Sequence, residues 1–160
     1  MKYIVVVDEH KELLSFAHLL NAKYCSGTAR VLMSEDHPSF ERIDHADALY
    51  LVWPADIAGF GGSKASEFIQ RSVGLLRRTP RVFLTACHVA EADSRSAAWQ
   101  LGAVALARLL QEISPVTAVM ATPGSLIVKS DNEIHVALSE KYLAKRGLET
   151  KTMWVQAAAL

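Results

Sequence analysis

The stretch Arg81 to Ile113, RVFLTACHVAEADSRSAAWQLGAVALARLLQEI, most constrains what this chain can become. Val82 to Ala86 is a short apolar run rich in strand formers, and polar residues around Glu91, Ala92 and Asp93 interrupt it. About five turns of sequence rich in alanine and leucine follow, with no proline and a single Gly102. A buried strand feeding a long helix of small residues is the repeating unit of a parallel α/β sheet. Cys87 and His88 then fall at the carboxyl end of the strand, where open sheets place ligands.

The rest of the chain repeats this alternation. Tyr3 to Val7 is β-branched and uninterrupted, and Asp8 can cap the helix whose apolar stripe is Leu13, Leu14, Phe16, Ala17, Leu19 and Leu20. Ser26-Gly27 breaks that helix before a second strand, Ala29 to Met33. Residues Ser34 to Ala46 carry charge, Pro38, His37 and His45, and read as a loop with a short helical turn. Leu49 to Trp53 is a third strand, ended by Pro54. Gly59, Gly61 and Gly62 form a loop before a helix from about Ser63 to Arg77, which Pro80 stops.

Beyond Ile113 the pattern changes. Pro115 to Thr122 reads as a strand, Pro123-Gly124 as a turn and Leu126 to Val128 as another strand. Ser130-Asp131-Asn132 is hairpin chemistry leading into Ile134 to Leu138. Ser139 to Gly147 has the composition of a short helix, and Thr152 to Val155 of a last strand. The expected fold is a three-layer α/β domain over residues 1–160, with a mainly parallel five-stranded sheet and an antiparallel C-terminal extension. The core is expected over 1–122, and the hairpin and terminal extension over 123–160.

Composition excludes several classes. Half of the residues are apolar, and 17 basic residues cancel 17 acidic ones, so neither a nucleic acid nor a membrane surface is an expected partner. Two cysteines make neither a disulfide framework nor a metal cluster, and they suit a reducing compartment. The apolar run of MKYIVVVDEH is too short for a signal peptide or a membrane span, so the cytoplasm is the expected location.

The candidate chemistry is sparse. Asp8-Glu9-His10 follows the first strand, where phosphate sites often lie, but two carboxylates would repel a phosphate. The loop from Gly59 through Gly61 and Gly62 to Ser63 offers backbone donors before a helix, yet it fits neither the dinucleotide nor the P-loop spacing. A loop needing positive φ is the competing reading. Cys87-His88 pairs a thiol with a base, but sequence neighbours rarely face each other and no third orienting residue stands out. A thiol packed at a strand end is the simpler account. The other histidines lack metal-site spacing. Trp53, Trp99 and Trp154 suit core or interface anchors better than cofactor stacking. Topology should still bring Asp8, Gly59, Gly61, Gly62, Ser63, Cys87 and His88 to one sheet edge, as candidate cofactor-binding residues without a catalytic constellation.

Four stretches carry a family resemblance. YIVVVDEHKELL resembles the opening strand and acidic-His turn of the electron-transfer flavoprotein alpha subunit. VFLTACHVAEADSRSAAWQLGA is similar to that family's central strand, turn and helix, with Arg95, Ala97 and Ala98 matching its Arg and paired alanines. TAVMATPGSLIVKSDNEIHVALS resembles the following strand, glycine turn and hairpin, with Gly124 in the glycine place. TKTMWV looks like the strand before the linker to a second domain. The resemblance implies the α/β fold of adenine-nucleotide hydrolases and a scaffold role in electron transfer. It also implies packing against a beta-like subunit or FAD domain, with FAD held by that other domain or chain. Glu91 and Ala92 replace the family's glycine and basic residue, Met120 replaces an Arg, and Ser139 and Glu140 stand near another missing Arg.

A flavodoxin-like reading fits HADALYLVWPADIAGFGG as third strand and flavin-side loop, without the hydroxyl-rich phosphate loop. A receiver-domain reading fits VVVDEHKELL and TPRVFLTA, with Thr85 as switch threonine, but Val52 stands where the phosphorylated Asp belongs. The candidate ligands of the chain itself are therefore AMP and FMN. A cofactor-free, degenerate module and a hetero- or homo-oligomeric assembly both fit as well.

Overall fold

A computed structural model describes residues 1–7, 11–33, 43, 45–54, 63–87, 96–124, 126–128, 132–136, 144–145, 147 and 154–157. Its strands are β1 (Lys2–Val6), β2 (Arg30–Met33), β3 (Ala48–Pro54), β4 (Arg81–Cys87), β5 (Ala118–Ala121), β6 (Leu126–Val128), β7 (Ile134–Val136) and β8 (Val155–Gln156). The helices are α1 (Lys11–Tyr24), α2 (Ser63–Arg71), α3 (Val73–Leu76) and α4 (Ser96–Ile113).

The sheet runs β2-β1-β3-β4-β5-β8. The first five strands on this path are parallel, and β8 closes it antiparallel to β5. The fold is thus the expected α/β class, with a mainly parallel core and antiparallel additions from the C-terminal part. Those additions join the same sheet. Leu126 of β6 pairs in parallel with Cys87 of β4, and β6 pairs antiparallel with β7.

Tyr3, Ile4, Val5 and Val6 are all buried, as are Ala48 to Val52, because helices cover both faces of these strands. On one face α1 presents Leu13, Phe16, Ala17 and Leu20 to Ile4, Val6, Tyr50 and Val52. On the other, Phe68 and Ile69 of α2 and Ala103, Leu106, Ala107 and Leu110 of α4 cover Val5, Leu51, Leu84 and Val119. The three- and four-residue spacing in α1 and α4 is the amphipathic stripe of a half-buried helix. Each fully buried Leu or Phe contributes roughly 1.5–3 kcal/mol.

Local chemistry corrects three boundaries. The helix expected over 63–77 breaks at Ser72, whose ψ of 16° leaves the helical range. Its buried N–H is shared between the carbonyls of Phe68 and Ile69, and β-branched Val73 with Gly74 follows. The strand expected from Pro115 starts only at Ala118. Ser114 and Thr117 share a hydroxyl–hydroxyl bond of 2.8 Å, and the Thr117 hydroxyl also donates to the Thr79 carbonyl at 2.8 Å, fixing a turn there. β3 runs one residue past the expected Trp53 and ends at Pro54, which still pairs with Cys87.

The end of α1 follows the expected break. Ser26 and Gly27 adopt φ of 53° and 72°, and the Gly27 N–H reaches back to the Asn21 carbonyl at 3.0 Å. A side chain at Gly27 would be strained by that backbone conformation alone. Asn21, buried, then grips Ala29 with both amide atoms, donating from Nδ2 at 2.9 Å and accepting at Oδ1 at 3.0 Å. This clamp sets the start of β2.

Candidate functional site

Parallel strands place all their carboxyl ends on one edge. The order 2-1-3-4-5 reverses direction at β1, so the switch point of the topology lies at the ends of β1 and β3. There the Val7 N–H donates to the Val52 carbonyl at 2.8 Å, holding the last described residue of β1's run against β3. β3 and β4 continue together to Pro54 and Cys87, and β6 flanks Cys87 through Leu126. On the far side of β4, the chain turns after β5. The Thr122 N–H bonds to the Leu84 carbonyl at 3.3 Å, and its hydroxyl donates to the Gly124 carbonyl at 2.6 Å. Thr122, Pro123 and Gly124 are buried.

Two of the sequence-predicted site residues have a described backbone. Ser63 opens α2, and Cys87 ends β4 beside Pro54. Asp8, Gly59, Gly61, Gly62 and His88 lie outside the described residues, as do Glu9, His10, Glu91, Ala92 and Arg95. The described strand ends next to them in sequence are neighbours: Val7 bonds to β3, and Pro54 pairs with Cys87.

Thr85 has a defined structural task. It is fully buried, and its hydroxyl donates to the Leu51 carbonyl at 2.8 Å across the β3–β4 pair. Val52, opposite it in register, is also fully buried, in the core under α1. Neither residue is presented for phosphoryl chemistry.

One titratable pair was not evident from the sequence. Cys25, buried just after α1, interacts with the Tyr50 side chain in the middle of β3. Burial pushes the Cys25 thiol up, only partly offset by the Tyr50 hydrogen bond. Burial, reinforced by Cys25, pushes the Tyr50 phenol up to about 12. Both groups are protonated at neutral pH, so the pair is neither a thiolate nucleophile nor a base. The two positions are far apart in sequence, and only the packing of α1 on β3 joins them.

A charged cluster marks the opposite, amino edge. The Met1 ammonium and the His45 Nε2, the latter at 3.1 Å, both meet the Asp47 carboxylate. The hydrogen bond from the ammonium, then that from His45, hold the Asp47 carboxyl below its ordinary range. This cluster is exposed and far from the strand ends described above.

Among the described residues there is no group of His, Cys, Asp and Glu able to hold a metal ion. No helix among them is long and apolar enough to cross a membrane. Comparison with known proteins returns no family model that matches, and no significant match among curated proteins or solved structures.

Proposed function

We propose that this chain is an electron-transfer flavoprotein alpha-subunit-like scaffold and partner surface in electron transfer, built on a sheet of flavodoxin-type strand order, with FAD held by another domain or chain. One observation carries the choice of module: the parallel order β2-β1-β3-β4-β5, whose reversal point lies at β1 and β3. Flavodoxin, a doubly wound sheet of that order, binds FMN at this switch point. The step from fold to electron transfer is an analogy, and the likeness of four stretches to the electron-transfer flavoprotein alpha subunit supports it.

The assignment of the flavin to a partner rests on charge. The segment after β1 is Asp8-Glu9-His10, and two carboxylates there oppose the phosphate of FMN. A ribose or adenosine hydroxyl suits such a loop better, as carboxylates accept hydrogen bonds from hydroxyls. The second reading is an FMN-binding oxidoreductase of the same fold, favoured by the same strand order.

Absorbance and titration separate the two. The chain purified alone is expected to be colourless, and FMN is expected to leave its melting temperature unchanged. Tagged in its native host, it is expected to bring down an FAD-containing polypeptide in stoichiometric amount. A yellow chain holding one FMN would move the function to the second reading. AMP is the probe for the hydroxyl site: a rise in melting temperature that a Gly61→Val, Gly62→Val double variant abolishes supports it. No rise in the parent removes nucleotide binding and leaves the partner surface alone.

A further inference from the structure

We infer that residues 154–157 form a releasable strap on the outer edge of β5, separable from the parallel sheet. The strap wraps that edge. Trp154 packs into the cluster on the α1 side, while Ala157 is fully buried in the cluster on the opposite side. Between them, the pairing of β8 with β5 among the described residues is Met120↔Gln156 and Ala121↔Val155.

Aromatic contact holds the strap down. The Trp154 ring lies edge-on to Tyr24 at 5.0 Å, to Phe83 at 5.4 Å and to Tyr50 at 5.6 Å. These T-shaped contacts match the preferred geometry of aromatic pairs. They link the end of α1 to β3 and β4 through one side chain.

Two features oppose them. A two-residue ladder supplies little cooperative hydrogen bonding compared with the longer β3–β4 pair. The indole Nε1 of Trp154 is buried and meets no acceptor among the described residues. A buried donor without a partner loses its hydration and gains nothing in return, which favours the released state. Local opening of this kind draws on elements with few partners and leaves the core intact. Release uncovers a row of backbone donors and acceptors on β5 and the outer side of the Tyr50–Phe83 pair. This device is independent of the electron-transfer reading.

Hydrogen exchange on the full chain, read by mass spectrometry at peptide resolution, tests it. In the unaltered protein, the amides of 155–157 are expected to exchange at least ~10-fold faster than those of β3 and β4. Trp154→Phe keeps a ring and removes the orphan N–H, so exchange at 155–157 is expected to slow. Trp154→Ala is expected to speed it by about tenfold or more while β1, β3 and β4 keep their protection. Equal protection of 155–157 and β4 overturns the inference. So does exchange in Trp154→Phe as fast as in Trp154→Ala, since the aromatic contact would then not be what holds the strap. A Trp154→Ala protein that loses protection throughout would show that the strap is part of the core, and overturns it as well.

Discussion

Tyr50 lies flat against Phe83 across the β3–β4 pair, with ring centroids 4.5 Å apart and planes 8° from parallel. The two residues are partners in register, so the stack is built directly on the ladder. Phe83→Leu keeps an apolar side chain and removes the ring. It is expected to cost about 1–2 kcal/mol, the stacking contribution plus imperfect refilling. Urea unfolding should show a lower midpoint with an unchanged slope.

The raised Tyr50 phenol makes alkaline stability a readout of its burial. Free tyrosine ionises near pH 10, and in the fold burial moves Tyr50 up to about 12. Between these values the unfolded chain gives up the proton that the folded chain keeps. Its contribution is therefore complete below about pH 10 and is lost as the pH rises toward 12. Unfolding followed across this window should show the fall, and Tyr50→Phe should remove this component of it.

Asn21 satisfies both backbone groups of Ala29 in a buried site. Asn21→Ala strips the donor and the acceptor together and leaves an N–H and a carbonyl without partners. A loss of about 2–3 kcal/mol is expected, read as a lowered melting temperature. Asn21→Asp turns a carboxylate oxygen onto the Ala29 carbonyl, so it should recover nothing at neutral pH and part of the loss only at acidic pH, where the protonated carboxyl can donate.

Thr85→Val replaces the hydroxyl by a methyl group of similar size and deletes the bond to the Leu51 carbonyl. The expected cost is about 1 kcal/mol, that of one neutral hydrogen bond, measured by chemical denaturation. Acetyl phosphate, the small-molecule phosphodonor for receiver-type chemistry, should leave both proteins unmodified by intact mass.

The parallel core was legible because its strands are apolar on both faces, and such runs stand out in sequence. Tyr3 to Val6 and Leu49 to Val52 needed no partner to be recognised. Elements defined by partners were less legible. Of the last strand expected at Thr152 to Val155, Thr152 and Met153 lie outside the described residues and Trp154 is not in a strand; β8 is Val155–Gln156, its place dictated by pairing with Met120 and Ala121. Pro115 and Val116 have strand-like neighbours, but Thr117 is committed to side-chain bonds that turn the chain. The site was legible only as topology. Strand order locates an edge, whereas most of the candidate site residues lie outside the described residues, in segments whose sequence carries no recognised spacing. The Cys25–Tyr50 pair had no sequence signal, as only tertiary packing creates it.

The order of strands also governs how the chain can assemble over time. Every parallel pairing joins distant residues, Lys2 with Ala48 and Leu49 with Val82 among them, whereas β6–β7 is a local hairpin. Long loops must close before the central sheet gains any ladder energy, which places folding toward the slow end for a chain of this size. A nascent chain emerging amino-terminus first has β1 and β2 available early, but β1 stays open on one side until β3 arrives, and β3 until β4 arrives. The hairpin forms late and quickly, against a β4 that must already be in place to receive Leu126.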